Sequence, residues 1–304
     1  MSKATTIKHV VLDFDGTCTQ IPKIWEAYLE LFFKALPESG FNVTAAEWSE
    51  ARDTVRKHSP TAAWTLTGCA AAPAAADPYM LADESMRLIL RRRRDHRSVP
   101  VDMHAKAYAA APAPWREEAL DTFAKLIDRG VRLHIVSNSS SAVIKGRLQD
   151  LLANHSSLAG KISVESDAGK FRICELEWDE KMPSLLKTAP LSPAARKRFA
   201  ALPANWEGGK ITASLGRPVY LRRGAYFGAI SRVLGGDFSL LPKTVICGDI
   251  WEMDLAMPYA LGANVHLLDR AAPFNTYKYE KQAVAKYGRR AKTSADLRGL
   301  LAWL

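Results

Sequence analysis

The chain lacks any long uninterrupted apolar run, and it contains few cysteines. No window of its 304 residues reaches the ~18 consecutive apolar residues that a membrane-spanning helix needs. No apolar signal core precedes the first strand-like run. The four cysteines are scattered without the spacing of a metal site, which favours free thiols in a reducing compartment. We therefore expect a cytoplasmic protein that does not enter a membrane.

Acidic residues are outnumbered by basic ones. The sequence has 42 lysines and arginines against 32 aspartates and glutamates, a formal net charge of +10. Such a balance suits nucleic acid, acidic lipid or phosphorylated small molecules as ligands, and it does not choose among them. The most basic stretch contains four consecutive arginines, Arg91–Arg94, which cover every side of a helix and cannot all face one ligand. No aromatic residues are interleaved with them, so we interpret this stretch as a solvated helix end.

Four short β-branched runs end abruptly in polar residues, and helical patterns separate them. The runs are IKHVVLDFD, VRLHIVSNS, KTVICGD and ANVHLLD, and the helical patterns are Trp115–Ile127, Ala142–Leu152 and Trp251–Leu261. This alternation predicts an α/β fold with an open parallel sheet. Ligands of such sheets bind outside the carboxyl ends of the strands, where Asp13, Ser137 and Asp249 lie.

Two segments do not fit the alternation. Residues 20–114 show helical patterns and predict an inserted helical unit; the patterns are Ile24–Leu36, Ala45–Lys57 and Tyr79–Arg94. In residues 161–221, KFRICELEW and KITASLGRPVYL are typical of extra strands, which predicts a β-rich insertion. The core domain is then expected over residues 1–19 and 115–304, with a separate helical domain over 20–114.

The first run ends in the sequence DFDGT. Asp13 and Asp15 share a side of an extended chain, and two carboxylates held close together favour a hard cation such as Mg²⁺. Gly16 permits a sharp turn directly after the strand. Ordinary turn chemistry is the alternative explanation of Asp-x-Asp-Gly.

Two later runs supply companions for these carboxylates. Ser137 lies between a strand and a helix, where a hydroxyl and the free N–H groups of the helix suit a phosphate, although a simple helix cap has the same pattern. Asp249 ends the third run, and Asp254 follows one turn into the next helix, where it is expected to support a cation or a basic partner from behind.

In order, these motifs resemble the haloacid dehalogenase-like hydrolase superfamily. The shared pattern is D-x-D-G-T, a serine at a strand end, a basic residue and G-D-x-x-x-x-D, spanning residues 13 to 254. The resemblance covers the predicted core only. It implies a Rossmann-like parallel-sheet core, an α-helical cap inserted after the first motif, and a phosphatase that uses Mg²⁺.

The resemblance also implies roles for individual residues. Asp13 would be the nucleophile, and Asp15 the general acid and base. Mg²⁺ would lie between Asp13, the backbone carbonyl of Asp15, and Asp249, while Ser137 and Asn138 would bind the phosphoryl group. The superfamily also carries a lysine that holds the phosphoryl oxygens. Arginines fill the expected stretch here, so Arg222 or Arg223 is favoured for this catalytic role, with Lys170 and Lys210 as rivals.

These inferences predict a Mg²⁺-dependent phosphomonoesterase acting through an aspartyl-phosphate on a small phosphorylated metabolite. Within the resemblance, the carboxylate of Asp15 argues against the dehalogenase branch, which typically lacks it. Two alternatives stay open: a phosphoryl transferase or phosphomutase of the same fold, and a non-catalytic nucleic-acid-associated protein.

Overall fold

The computed structural model describes residues 6–153, 155–176 and 191–304. Its eight strands are His9–Leu12 (β1), Ala63–Trp64 (β2), Ala72–Pro73 (β3), Arg132–Val136 (β4), Ile162–Glu165 (β5), Thr244–Gly248 (β6), Asn264–Leu268 (β7) and Ala291–Ser294 (β8). Six of them form one sheet in the order β5-β4-β1-β6-β7-β8, with every pair parallel. The predicted α/β, Rossmann-like fold class is confirmed.

The register of the sheet aligns the ends of the three central strands. Leu12, the last residue of β1, is opposite Ile135 of β4 and Cys247 of β6. Because parallel strands in this register finish at one edge, the residues that follow them emerge side by side. All four residues of β1 are buried, as expected for a strand covered on both faces.

Helices cover both faces of this sheet. They are Ala119–Asp128 (α5), Ser141–Leu152 (α6), Pro193–Ala200 (α7), Lys210–Ala213 (α8), Gly224–Val233 (α9), Ala256–Leu261 (α10) and Lys278–Lys286 (α11). Alternate residues of β1 point to opposite sides. Val10 and Leu12 pack with Phe123 of α5, whereas Val11 belongs to the cluster that contains Phe227 of α9.

A helical insertion separates β1 from α5. Its helices are Trp25–Ala35 (α1), Ala45–His58 (α2), Pro78–Arg92 (α3) and Val101–Ala110 (α4), and the hairpin of β2 and β3 lies between α2 and α3. The insertion has an apolar cluster of its own, which includes Phe32, Trp48 and Met86. Helix α2 starts at a capping box between Thr44 and Glu47, which explains its sharp beginning. Helix α4 was not predicted.

The β-rich insertion predicted over residues 161–221 is corrected for the described residues. β5 belongs to the main sheet, and Lys210–Ala213, predicted as strand, is helical. Among the residues of this segment that the structure describes, further pairing is limited to single bridges, Cys174 with Arg223 and Asn205 with Tyr220. The end of KFRICELEW and the loop with Pro183 and Pro190 lie outside the described residues.

The arginine-rich stretch ends α3 and is paired within the insertion. Arg91 forms an ion pair with Glu84 at 2.9 Å, Arg92 with Glu50 at 3.0 Å, and Arg93 with Glu47 at 2.7 Å. The pairs of Arg92 and Arg93 join the end of α3 to α2, whereas the pair of Arg91 lies within α3. This pairing is consistent with an ordinary helix surface. Among the described residues, no helix combines the length and the apolar character that crossing a membrane requires.

Candidate active site

The three strand-end residues predicted from the sequence converge at the edge of the sheet. Asp13 donates its backbone N–H to Cys247 at 2.8 Å, which fixes the first residue beyond β1 against β6. Carboxylate oxygens of Asp13, Asp249 and Asp254 all lie within 4.8 Å of one another. Ser137 is buried at the end of β4 and lines the same cavity as these carboxylates. Residues more than a hundred positions apart are therefore brought to one site.

Asp249 has the features of a cation ligand. It is buried, and neither carboxylate oxygen has a hydrogen-bond partner among the described residues. Burial raises the pKa of this carboxyl well above its usual range, although Arg270 opposes the shift. A Cβ at Gly16, where φ is +83°, would lie 2.4 Å from Asp249 Oδ2, so the glycine leaves room for that oxygen. Buried carboxylate oxygens without donors fit a hard divalent ion such as Mg²⁺.

Lys170 is the cation that faces Asp13. Its Nζ lies 2.5 Å from Asp13 Oδ1 and 3.0 Å from Asp254 Oδ1, and its side chain is 1% exposed. Burial alone would lower the pKa of Lys170, but the two carboxylates outweigh burial and raise it. Burial also raises the pKa of Asp13 to about 7, against the opposing charge of Lys170. Asp254 thus holds the lysine, as expected of a supporting carboxylate, and it also accepts from the Ile250 N–H at 3.1 Å.

The sequence preference for Arg222 or Arg223 beside Asp13 is wrong. Arg222 points away from the site and contacts Glu175 and the carbonyl of Leu202. Arg223 is buried but donates to the carbonyl of Lys170 at 2.6 Å, so it supports the loop that carries the lysine. The other rival, Lys210, is exposed on α8.

Two residues after β4 shape the floor of the site. The Ser139 N–H donates to Ser137 Oγ at 3.1 Å, which leaves the Ser137 hydroxyl proton free to point toward a ligand. The side-chain oxygen of Asn138 accepts a hydrogen bond from the backbone N–H of Lys170 at 2.7 Å. The predicted phosphate-binding residue Asn138 therefore positions the lysine through its side chain.

Asp15 turns away from the carboxylate cluster and meets the helical insertion. Tyr108 donates to both of its oxygens at 3.0 Å, Ser139 to Oδ2 at 3.0 Å, and Tyr79 to Oδ1 at 3.4 Å. Burial raises the pKa of Asp15, while Arg147, 4.0 Å away, is the largest opposing influence. Only the backbone carbonyl of Asp15 was predicted to bind metal, so this side-chain position does not conflict with that expectation.

Tyr79, Tyr108 and Arg147 were not predicted as site residues. Tyr108 belongs to the unpredicted helix α4, within an alanine- and proline-rich tract that was interpreted as a connection. Arg147 lies on α6, stacks on the Tyr108 ring at 4.4 Å and donates to the carbonyl of Tyr108 at 3.0 Å. Neither a tyrosine in such a tract nor an arginine in a helical pattern gives a sequence signal that the two side chains meet one carboxylate.

The loop after β6 is held from behind by a buried ion pair. Arg270 donates to the carbonyl of Asp249 and pairs with Glu280 of α11. Glu280 also accepts a hydrogen bond from the backbone N–H of Trp251 at 3.0 Å. Because both partners are almost fully buried, this pair fixes the backbone that carries Asp249.

A cavity of about 410 Å³ opens above the cluster, between the sheet edge and the helical insertion. Its floor contains Asp13, Ser137 and Asp249, and its roof comes from α3, α4 and the hairpin, including Trp64, Tyr79 and Tyr108. This volume is within the range of small-molecule sites, roughly 300–1,000 Å³.

Solved structures similar to this chain include hydrolases and dehalogenases. One is a Bacillus subtilis protein assigned as a HAD-hydrolase, YfnB, bound to magnesium (11% identity, 98% of each chain, TM-score 0.46). Another is a predicted phosphoglycolate phosphatase from Haemophilus somnus (12% identity, 97% of each chain, TM-score 0.48). A third is the L-2-haloacid dehalogenase RSc1362 (15% identity, 98% of this chain and 99% of the other, TM-score 0.40).

These structures bear names from the superfamily that the sequence motifs resemble. Both phosphatase and dehalogenase names occur among them, so they do not separate the two activities. No protein-family model and no curated protein sequence matches the chain.

Proposed function

We propose that this protein is a Mg²⁺-dependent phosphomonoesterase of the haloacid dehalogenase-like superfamily, acting on a small phosphorylated metabolite. One observation carries the proposal: Asp13 contacts a buried lysine and lies within 4.8 Å of Asp249, a buried aspartate whose oxygens have no hydrogen-bond donor among the described residues. A lysine at 2.5 Å and a divalent ion together would offset the charge of a phosphoryl group beside the attacking carboxylate. A structural scaffold has no need for such a concentration of charge.

Asp13 would attack phosphorus with the carboxylate oxygen that Lys170 leaves free, forming an aspartyl-phosphate as the ester P–O bond breaks. The protonated Asp15 would give its proton to the departing alcohol oxygen. Water would then attack the phosphorus of the intermediate, with Asp15 taking its proton, and release inorganic phosphate from Asp13. The burial that raises the pKa of Asp15 favours its protonated form before the first step.

Asp13 and Asp249 would hold the metal, which would supply positive charge opposite the phosphoryl oxygens. Lys170 would neutralise the other side of Asp13, and the Ser137 hydroxyl would donate to a phosphoryl oxygen. Asp254 would keep Lys170 in place through its contact of 3.0 Å. Each of these groups acts on the phosphoryl group or on the attacking carboxylate, whereas Asp15 acts on the leaving alcohol and the attacking water.

The helical insertion would act as a cap. Tyr79 and Tyr108 reach from α3 and α4 to Asp15, so the insertion and the core meet at the proposed acid. Such a roof excludes water and large ligands from the reacting atoms. A dehalogenase does not protonate its leaving halide, whereas the Asp15 carboxyl in the cavity gives ester hydrolysis an acid and a base.

The direct test is a screen of metabolite phosphates for inorganic phosphate release, with Mg²⁺ and with EDTA. We expect at least one ester to be hydrolysed, EDTA to stop the reaction, and Mg²⁺ to restore it. Asp13→Asn should abolish turnover, whereas Asp53→Asn, the same change at an exposed position of α2, should leave it unchanged. Release of halide from L-2-haloacids without any phosphate release would contradict the proposal, as would metal-independent hydrolysis.

A further inference from the structure

The part of the cavity beyond the reacting groups has an aromatic and thioether wall. Trp64 of β2 and Phe171 lie with ring centroids 5.5 Å apart at a tilt of 55°. Both pack against a buried apolar cluster that includes Met80, Ile250 and Met253. All five of these side chains line the cavity. The wall therefore presents carbon and ring faces to whatever is attached to the phosphate.

Tyrosine rings continue this surface toward Asp15. Tyr79 and Tyr108 meet edge to face with centroids 5.4 Å apart, and Tyr28 meets Tyr79 at 4.6 Å. The hydroxyls of Tyr79 and Tyr108 are occupied by Asp15, so the rings are what these residues offer to a ligand beside that carboxylate. Aromatic side chains favour a ligand ring by offset or edge-to-face contact.

Two carboxylates of the roof are already engaged by other groups. Asp83 accepts from Trp64 Nε1 at 2.8 Å and pairs with Arg87 at 2.6 Å. Asp77 caps α3 by accepting from the Met80 N–H at 2.7 Å. Both carboxylates line the cavity, and they would repel a second acidic group on the substrate.

The one basic side chain of the roof is engaged as well. Among the described residues that line the cavity, His104 is the only basic group, and it lies 3.2 Å from Asp83 Oδ1 and 2.8 Å from the Tyr28 hydroxyl. A ligand carboxylate or a second phosphate would have to break these contacts to gain a partner.

We propose that the substrate is a phosphate monoester whose alcohol carries an aromatic ring and no second acidic group, with the ring lying between Trp64, Phe171 and the tyrosines. This inference rests on the proposed phosphatase function and narrows it to a substrate class. It predicts that phosphorylated acids and bisphosphates are poor substrates.

Three phosphate esters with alkyl leaving groups test the inference: benzyl, 4-carboxybenzyl and ethyl phosphate. Benzyl phosphate has a phenyl ring in place of the methyl group of ethyl phosphate. 4-Carboxybenzyl phosphate adds a carboxylate to that ring. We expect kcat/KM for benzyl phosphate to exceed each of the others at least tenfold. Trp64→Ala and Phe171→Ala should each raise KM for benzyl phosphate about fivefold or more, with little change in KM for ethyl phosphate.

Trp64→Phe keeps an aromatic ring but loses the indole N–H that donates to Asp83. It therefore distinguishes the contribution of the ring from that of the hydrogen bond. It should retain most of the benzyl preference. Trp25→Ala removes a tryptophan of the insertion that packs on Phe274 away from the cavity, and it should leave the preference unchanged. Equal or better use of ethyl or 4-carboxybenzyl phosphate would overturn the substrate class while the phosphatase function stands.

A binding measurement keeps the two proposals distinguishable. Benzylphosphonate cannot be hydrolysed at a P–O ester bond, so its affinity in the presence of Mg²⁺ reports the cavity alone. We expect it to bind at least tenfold more tightly than 4-carboxybenzylphosphonate. If benzylphosphonate is preferred but no ester is turned over, the proposed phosphatase function is wrong and the proposed ligand class stands. If neither phosphonate is preferred, the proposed ligand class is wrong.

Discussion

At the scale of single residues, the charge balance around Asp13 decides what the site can do. Two buried aspartates and one lysine lie within a few ångströms of this carboxylate, and only the lysine is a cation. Without it, Asp13 and Asp254 would repel each other in a region of low dielectric, and the pKa of Asp13 would be raised further. Lys170 therefore favours the ionised form of the proposed nucleophile, against the effect of burial, and holds its carboxylate in place.

We predict that Lys170→Met lowers kcat for phosphate release by roughly 10²–10³-fold, the usual cost of removing one group that stabilises developing charge. Arg222→Ala is the matched control, because Arg222 lies in the stretch favoured from the sequence but points away from the cavity, and it should retain near-normal kcat. Steady-state kinetics on the two variants, with circular dichroism to establish folding, measures the effect. A folded Lys170→Met with wild-type kcat would remove the lysine from its role.

The sequence identifies Asp13, Ser137 and Asp249 because strand ends of a parallel sheet share an edge. It offers Lys170 only as a rival of Arg222 and Arg223, because this lysine is carried by a loop rather than a strand end. That loop needs left-handed backbone conformations at two positions, since Asp167 and Gly169 have φ values of +52° and +58°. No sequence pattern predicts these conformations. A Cβ at Gly169 would lie 2.9 Å from Ala225, so the loop also packs closely on α9. Tertiary packing, which the motif does not encode, selects the lysine.

At the scale of elements, α11 stabilises the loop after β6 through Glu280. Glu280 neutralises the buried Arg270 and accepts from the Trp251 N–H. Removing one partner of a buried pair leaves the other charge without compensation. The position of Asp249 thus depends on a helix far from it in sequence.

We expect Glu280→Ala to lower the free energy of unfolding by about 3–5 kcal/mol, because it leaves Arg270 charged and buried. Lys281→Ala is the control on the same helix, since its pair with Asp269 is exposed and should contribute less than about 1 kcal/mol. Urea unfolding curves for both variants give these values. Equal losses for the two variants would show that the buried pair has no special role.

Element prediction fails where a helix lacks clear signals. α4 has a proline at its N-cap and an alanine-rich sequence with little amphipathic pattern. Its position follows instead from packing against α1 and from Tyr108 reaching Asp15. The contribution of α4 to the roof of the site is therefore not accessible from the sequence, whereas that of α3 is.

At the scale of the whole molecule, the parallel sheet contains three buried histidines on separate strands. His9 of β1 and His134 of β4 stack with centroids 5.3 Å apart, and His266 of β7 lies between Ser294 and Trp303. Burial lowers the pKa of His134 and of His266 to about 4 each, and it lowers that of His9. The folded sheet thus favours neutral imidazoles. Burial raises the pKa values of Asp13 and Asp77 to about 7. As the pH falls, protonation of these aspartates therefore stabilises the folded state, whereas protonation of the histidines destabilises it.

His266 isolates this effect because its protonation state follows from its partners. Trp303 Nε1 can only donate, so His266 Nδ1 accepts at 3.0 Å and Nε2 carries the proton toward Ser294 Oγ at 2.7 Å. Since the folded pKa is depressed, the unfolded chain takes up the proton first as the pH falls. The stability supplied by neutral His266 is present above pH 6.5 and is lost between pH 6.5 and about 4.

We therefore predict that the stability difference between wild type and His266→Asn changes in favour of the variant by up to about 3 kcal/mol between pH 6.5 and 4. Urea unfolding at a series of pH values measures this difference, in which the opposing contributions of the aspartates cancel. His155→Asn, the same change at an exposed histidine, is the control for losing an imidazole that is not buried in the sheet. A pH-independent difference for His266→Asn would mean that the buried imidazole is protonated as easily in the folded sheet as in the unfolded chain.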